Sequence, residues 1–247
     1  GTGPYKLESF SPYRQRLKAF HKYWNGDIKN KGVDLITLNN STSLFAAMIS
    51  GEIDVLLSSS LEEDHKIYLS KEANKGVLRE GKGNALEIGY ITLRANNSPL
   101  KEKQIREALN YSLDRELISK RVSYGLRKPL RNLVPPNLWE GRDNKWPSYN
   151  PNKSRELLTK AGYCLNKKLV LPLTFRSNIP ADKLLALTWQ EQTKRDLSDC
   201  IKIELNGLES TTIYRQLGKG SFDAVILDWR GSYPDPEAYL TPFLSCK

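Results

Sequence analysis

The stretch "DWRGSYPDPEAYL", residues 228–240, gathers side chains that can hold a polar ligand. Trp229 offers an aromatic face and one N–H donor. Arg230 offers a planar guanidinium that pairs bidentately with a carboxylate or a carbonyl-rich group. Ser232 and Tyr233 add hydroxyls two and three residues further on. These residues follow "FDAVIL", an apolar run that reads as a buried strand. The carboxyl end of such a strand is where open α/β sheets bind ligands. Each residue also has a plainer reading. Trp229 can be core at a strand end, and Arg230 a surface charge. Ser232 can cap a helix that begins near Pro234, and Asp235 can sit at that helix's N-terminus, favoured by its dipole. Both readings stay open at this point.

Catalytic chemistry is not legible. There is no nucleophile elbow, metal cluster or Cys/His dyad, and "GKGN" at 81–84 and "GKGS" at 218–221 lack phosphate-loop spacing. The paired acids Glu62 and Glu63 fall on an expected exposed helix, and Asp114 and Arg115 read as a helical surface or hinge contact. Cys164, Cys200 and Cys246 stand too far apart for metal-ligand or redox spacing, and His21 and His65 lie away from them. One disulfide fits three cysteines, and which two pair stays open. No enzyme activity, cofactor or metal is therefore expected.

The elements that must position these residues follow from the pattern. With 247 residues, 39% hydrophobic and 27% charged, the chain can bury a sizeable core as one large or two modest domains. No stretch approaches the ~20 apolar residues of a bilayer span, and "GTGPYKLESF" has no signal-peptide pattern. The net charge of +10 is spread along the chain. That favours a solvated basic surface over a nucleic-acid footprint, so no nucleic acid is expected. A basic module for nucleic acid or an acidic partner is the alternative that this charge keeps alive.

Strands are expected at 33–38 and 53–57 around a helix opened by Asn40 or Ser41 and closed by Gly51, a βαβ unit with parallel strands. A helix at 61–70, a strand at 86–94 and one long helix over 102–120 follow. Residues 123–150 read as a long irregular connection. The cleanest helix is "NPNKSRELLTKAGY", 150–163, with Asn150 as cap, Pro151 at the first position and Gly162 as stop. The remaining order is a strand at 169–175, with Pro172 marking an edge or bulge, a helix at 180–197, a strand at 201–205, a helix at 210–220 and a strand at 222–228. The class is α/β.

Several blocks, in order, carry a resemblance: "GTGPYKL" at 1–7, "AAMISGEIDVL" at 46–56, "REALNYSLDRELI" at 106–118, "LVPP" at 133–136, "YNPNKSRELLTKAGY" at 149–163 and "FDAVILDWRGSYPDPEAYL" at 222–240. Together they resemble the extracellular solute-binding proteins of family 5, the peptide/nickel-type receptors of ABC importers. The resemblance implies a two-lobed periplasmic-binding-protein (type II-like) fold closing around ligand. Residues 1–95 would be part of lobe I and 96–247 most of lobe II, incomplete at the C-terminus. It implies a peptide or other small solute as ligand, an ABC permease as partner, and a periplasmic or extracellular location with a membrane anchor or a periplasmic pool.

The resemblance also assigns residues. Leu57, Ser58 and Ser59 follow the "GEID" block, where the family lines its ligand site in lobe I. Arg94 stands in a hinge strand where the family often has an Asn-Thr pair. Ser232 occupies the position where peptide receptors carry an Asp for the ligand's amino group. Ile226 and Leu217 occupy positions where some members carry carboxylate-binding arginines. The ligand is therefore expected not to be an ordinary zwitterionic peptide, and Arg230 and Arg94 suit an anionic or carbonyl-rich group. A relative that has lost peptide binding is the other reading. As an internal fragment, the chain alone is expected to bind ligand weakly or not at all, and exposed apolar surface leaves self-association open to it.

Overall fold

The computed structural model describes residues 2–57, 61–81, 83, 86–96, 99–139 and 146–245. Two compact units emerge, Gly1–Leu61 and Glu62–Lys247.

The first unit is built on an antiparallel sheet of β1 (Tyr5–Phe10), β2 (Arg14–Ala19) and β3 (Gly32–Ile36), in that order. Register aligns Leu7, Leu17 and Val33 across the three strands. The opposite face pairs Arg16 with Asp34, joined by an Nε–Oδ1 bond of 2.9 Å. Helix α1 (Ser41–Ser50) starts at Asn40, whose side chain accepts from the Ser43 N–H, and ends at Gly51 in the left-handed region. The expected βαβ unit does not form. Residues 53–57 make no strand, and β3 is antiparallel to β2. Among the described residues 53–57 have no ladder partner, although the Ile53 N–H donates to the Ala47 carbonyl at 3.3 Å, and Val55 and Leu57 are exposed. An extended segment without a ladder partner leaves its backbone to water.

The second unit is an α/β layer structure. Its elements are α2 (Glu63–Asn74), β4 (Glu87–Leu93), α3 (Lys103–Tyr111), α4 (Arg115–Ser123), α5 (Pro151–Lys160), β5 (Leu169–Arg176), α6 (Pro180–Asp196), β6 (Ile201–Leu208), α7 (Ser210–Leu217), β7 (Ala224–Arg230) and α8 (Glu237–Leu244). The sheet order is β4-β7-β5-β6. β5 is parallel to β6 and β7, while β4 runs antiparallel to β7. The period-2 alternation of β7 explains the layers. Ala224 and Ile226 join a core with Leu109 of α3, Leu158 of α5 and Trp189 of α6. Val225 and Leu227 join a second cluster with Ile213 of α7. Burying each of these larger apolar side chains contributes roughly 1.5–3 kcal/mol.

The two compact units divide at Leu61/Glu62. β4 pairs with β7 at seven positions, from Glu87↔Arg230 to Leu93↔Ala224, so this strand belongs to the second sheet. The expected long helix over 102–120 is two helices. Ser112 ends α3, and Asp114 caps α4 by accepting from the Leu117 N–H. Trp189 donates to the Ser112 hydroxyl at 3.1 Å, which ties the break to α6. Pro172 lies inside a strand with neighbours on both sides, yet β7 pairs with β5 only at Leu173 and Thr174. Beside Pro172 the strand has a partner on one side alone, so the missing N–H is tolerated.

Cys164 and Cys200 form a disulfide that ties the turn after α5 to the start of β6. Cys246 lies outside the described residues. Residues 124–139 and 146–149 contain no helix or strand, as expected, although Val134 is buried against Ile88 and Tyr239.

Candidate ligand-binding site

Because β5, β6 and β7 are parallel, their carboxyl ends share one edge of the second sheet. Antiparallel β4 brings its start, Glu87 to Gly89, to the same edge. Arg176 closes β5 there and is only 4% exposed. Its Nε bonds Asp182 Oδ2 at 2.7 Å and its Nη2 bonds Asp182 Oδ1 at 3.0 Å, a bidentate pair with the first turn of α6. Nη2 also lies 2.8 Å from Asp228 Oδ2 on β7, and Nη1 donates to the Tyr214 hydroxyl of α7 at 3.1 Å. One guanidinium thus joins three elements. Burial works against its charge, but the bonds to Asp182 and Asp228 outweigh it and raise its pKa. Burial also pushes the Asp182 carboxyl up, against the pull of Arg176.

The residues singled out in the sequence divide by what they touch. Trp229 is half-buried; its indole N–H donates to the Ala238 carbonyl at 2.9 Å, and its ring meets Phe243 edge-on at 5.7 Å. Those contacts hold α8 on the sheet, which is the core reading. Arg230 is exposed and unpaired among the described residues. Its cross-strand neighbour Glu87 lies 3.6 Å from Arg127 instead. Ser232 is exposed, and it does not cap a helix: α8 starts at Glu237, whose N–H is accepted by Asp235 Oδ1 at 2.8 Å. The Asp235 reading therefore describes its contact. Tyr233 is 50% exposed and donates its hydroxyl to the Glu237 carboxylate. Gly231 is buried, and a Cβ there would meet Tyr239 Cε2 at 2.9 Å, so the chain can turn under α8 only with glycine.

Arg94 is not at this edge. It follows Leu93, which pairs with Ala224 at the start of β7, whereas Arg230 pairs with Glu87. The length of the strand, about 20 Å at ~3.3 Å per residue, separates the two arginines. The Arg94 guanidinium bonds Asn96 Oδ1 at 2.8 Å and lies against Gly220. Leu57 belongs to the first unit and is 89% exposed; Ser58 and Ser59 lie outside the described residues. Ile226 is core, and Leu217 is partly exposed on α7.

Arg176, Asp182, Asp228 and Gly89 were not singled out in the sequence. A signal was there: "LVLPLTFR" and "AVILD" are buried strands that each close on a charge, and a buried charge needs a partner. At the start of α2, Glu62, Asp64 and His65 lie within 4.8 Å of one another, but exposed acidic groups of this kind are common without an ion.

Residues 1–247 match the family described as bacterial extracellular solute-binding proteins, family 5 Middle. The heme-binding protein A of Haemophilus influenzae is 27% identical over 99% of this chain and 44% of its own length. The dipeptide-binding protein of Escherichia coli is 24% identical over 100% of this chain and 45% of its own length. Among solved structures, the dipeptide binding protein of Pseudoalteromonas sp. SM9913, in complex with Met-Leu, superposes with a TM-score of 0.84 at 24% identity, over 99% of this chain and 47% of that one. NikA from Brucella suis, in complex with Fe(III)-EDTA, gives a TM-score of 0.83 at 21% identity, over 99% of this chain and 51% of that one. The chain therefore spans about half the length of the curated relatives it matches. Its α/β fold is that of periplasmic binding proteins, and its matched relatives are binding proteins. The chain belongs to the bacterial extracellular solute-binding proteins, family 5.

Proposed function

We propose that this chain is part of the substrate-binding component of an ABC importer, noncatalytic, which takes an oligopeptide-like or other small solute. The family match over residues 1–247 carries the reading. It receives support from relatives named as peptide transport periplasmic protein SapA of Salmonella typhimurium and dipeptide-binding protein of Escherichia coli. The working location is the periplasm, and the disulfide between Cys164 and Cys200 suits that oxidising compartment. The partner is the importer's permease.

The ligand lies at the carboxyl edge of the second sheet, against Arg230, Ser232 and Tyr233, and the two lobes of the whole protein close over it. Trp229 supports this surface from behind by fixing α8. Arg94 contributes no direct contact. The test is calorimetry on the full-length protein with a panel of peptides and small solutes. Micromolar or tighter binding of a small solute supports the reading. Saturable binding of nucleic acid with a steep salt dependence, and of no small solute, overturns it in favour of the basic-module alternative.

A further inference from the structure

Two guanidiniums beside the last turns of α6 have no acidic partner. Arg115 opens α4, and Arg131 stands in the irregular stretch between α4 and α5. Arg115 Nη1 donates to the Pro147 carbonyl at 2.8 Å, and its Nη2 donates to Asn110 Oδ1 at 3.3 Å. Arg131 Nη1 donates to the Ser148 hydroxyl at 2.8 Å. Pro147 and Ser148 are consecutive, so these bonds draw the two cations to one spot. All three acceptors are neutral, and among the described residues neither arginine is in an ion pair. The nearest carboxylates are engaged elsewhere. Asp114 accepts from the Leu117 N–H, and Asp196, which the Tyr149 hydroxyl reaches, is held by Arg195.

The fold does not offset this concentration of charge. Arg115 is half-buried, and burial, followed by the Arg131 charge, lowers its pKa. It is also the first residue of α4, where the helix dipole favours an anion over a cation. A guanidinium has five N–H donors. Among the described residues the side chain of Arg115 uses two bonds and that of Arg131 one, so most donors stay open. Asn132, next in the chain, keeps a buried amide oxygen without a hydrogen-bond partner, a further unmet polar atom in the same stretch.

This spot is not the carboxyl edge. The Asp114 N–H donates to Gln192 Oε1 at 3.3 Å, which fixes the start of α4 against the late part of α6. Gln192 lies about 18 Å along that helix from Pro180, which follows the carboxyl end of β5.

We propose that Arg115 and Arg131 together bind a phosphate-type dianion, held against Ser148, at a second site apart from the carboxyl edge. Two cations match two negative charges, whereas a single carboxylate leaves one guanidinium unmatched. The several oxygens of a phosphate accept from both forks at once. The Ser148 hydroxyl accepts from Arg131 and has its own proton to donate to the anion.

The test is calorimetric titration of the full-length protein with inorganic phosphate at mildly alkaline pH and constant ionic strength, with Tm measured in chloride. The wild type is expected to bind phosphate saturably. Arg131→Gln is expected to weaken that binding by roughly tenfold or more, the worth of lost charge-assisted hydrogen bonds. Its Tm in chloride is expected to stay level or rise, because a like charge beside Arg115 is gone. Arg230→Gln is expected to bind phosphate as the wild type does, which separates this site from the carboxyl edge. A lower Tm for Arg131→Gln in chloride, with phosphate binding unchanged, would give Arg131 a structural role and overturn the inference. Absence of saturable binding in the wild type, or its loss in Arg230→Gln, overturns it too and leaves the solute-binding reading standing. Association with phosphatidic acid vesicles and none with free phosphate overturns the free anion as occupant.

Discussion

Arg176 at the end of β5 and Asp228, two residues before the end of the neighbouring parallel strand β7, are fifty-two positions apart in sequence and meet at 2.8 Å. Arg176 is buried while Asp228 is partly open, so the pair joins the interior of the second unit to the edge where ligand is proposed to bind.

Arg176→Met is expected to destabilise the protein by about 3–5 kcal/mol, because it strands the buried Asp182 carboxylate without a partner. Replacing both, Arg176→Met with Asp182→Leu, is expected to recover much of that loss. Urea unfolding of wild type, each single variant and the double variant checks it. An additive double variant would mean that the pair does not act as a unit.

Loss of the Cys164–Cys200 disulfide opens a loop of sequence separation 36. On the chain-entropy account, Cys164→Ser with Cys200→Ser costs roughly 4 kcal/mol. Thermal unfolding of the double variant, beside wild type with and without reductant, reads it. Wild type under reductant is expected to match the variant.

Gly231→Ala places a methyl 2.9 Å from Tyr239 and 3.0 Å from the Ala238 Cβ. Overpacking of this kind costs about 1–3 kcal/mol. The shift is expected to displace α8, and the environment of Trp229 with it, so tryptophan fluorescence should change together with the unfolding midpoint.

The Asp34 carboxyl is held at about 2, below its ordinary 3.8, by hydrogen bonds from Arg16 and then Arg14. A lowered carboxyl pKa stabilises the folded state above its unfolded value, and that contribution fades as pH falls from near 4 toward 2. The group is exposed, so the effect is small. NMR titration of Asp34 should show the low midpoint, and Asp34→Asn should remove only its own small share of the acid-side dependence, leaving that of Glu156, which is likewise held at about 2.

Local chemistry made part of this fold legible. In α5, Asn150 accepts from the Lys153 N–H, Pro151 follows at the first position, and Gly162 adopts φ of +83°. Residues at its own two ends fix that helix, so it is legible in the local pattern. The strands β1 and β2 were not read, because "YKLESF" and "RQRLKA" carry charges on one face and only short apolar alternation on the other. The break between α3 and α4 depends on Trp189 reaching Ser112 from another helix. Arg94 and Arg230 read as companions in sequence terms, yet the antiparallel register of β4 and β7 sends them to opposite ends. Such relationships come from strand pairing, which no local pattern encodes.

The most direct measurement is a crystal structure of the full-length protein with the solute it retains through purification. The account predicts ligand atoms within about 4 Å of Arg230 or Ser232 at the carboxyl edge of the second sheet. Ligand seated away from that edge, with both side chains still in solvent, would contradict it.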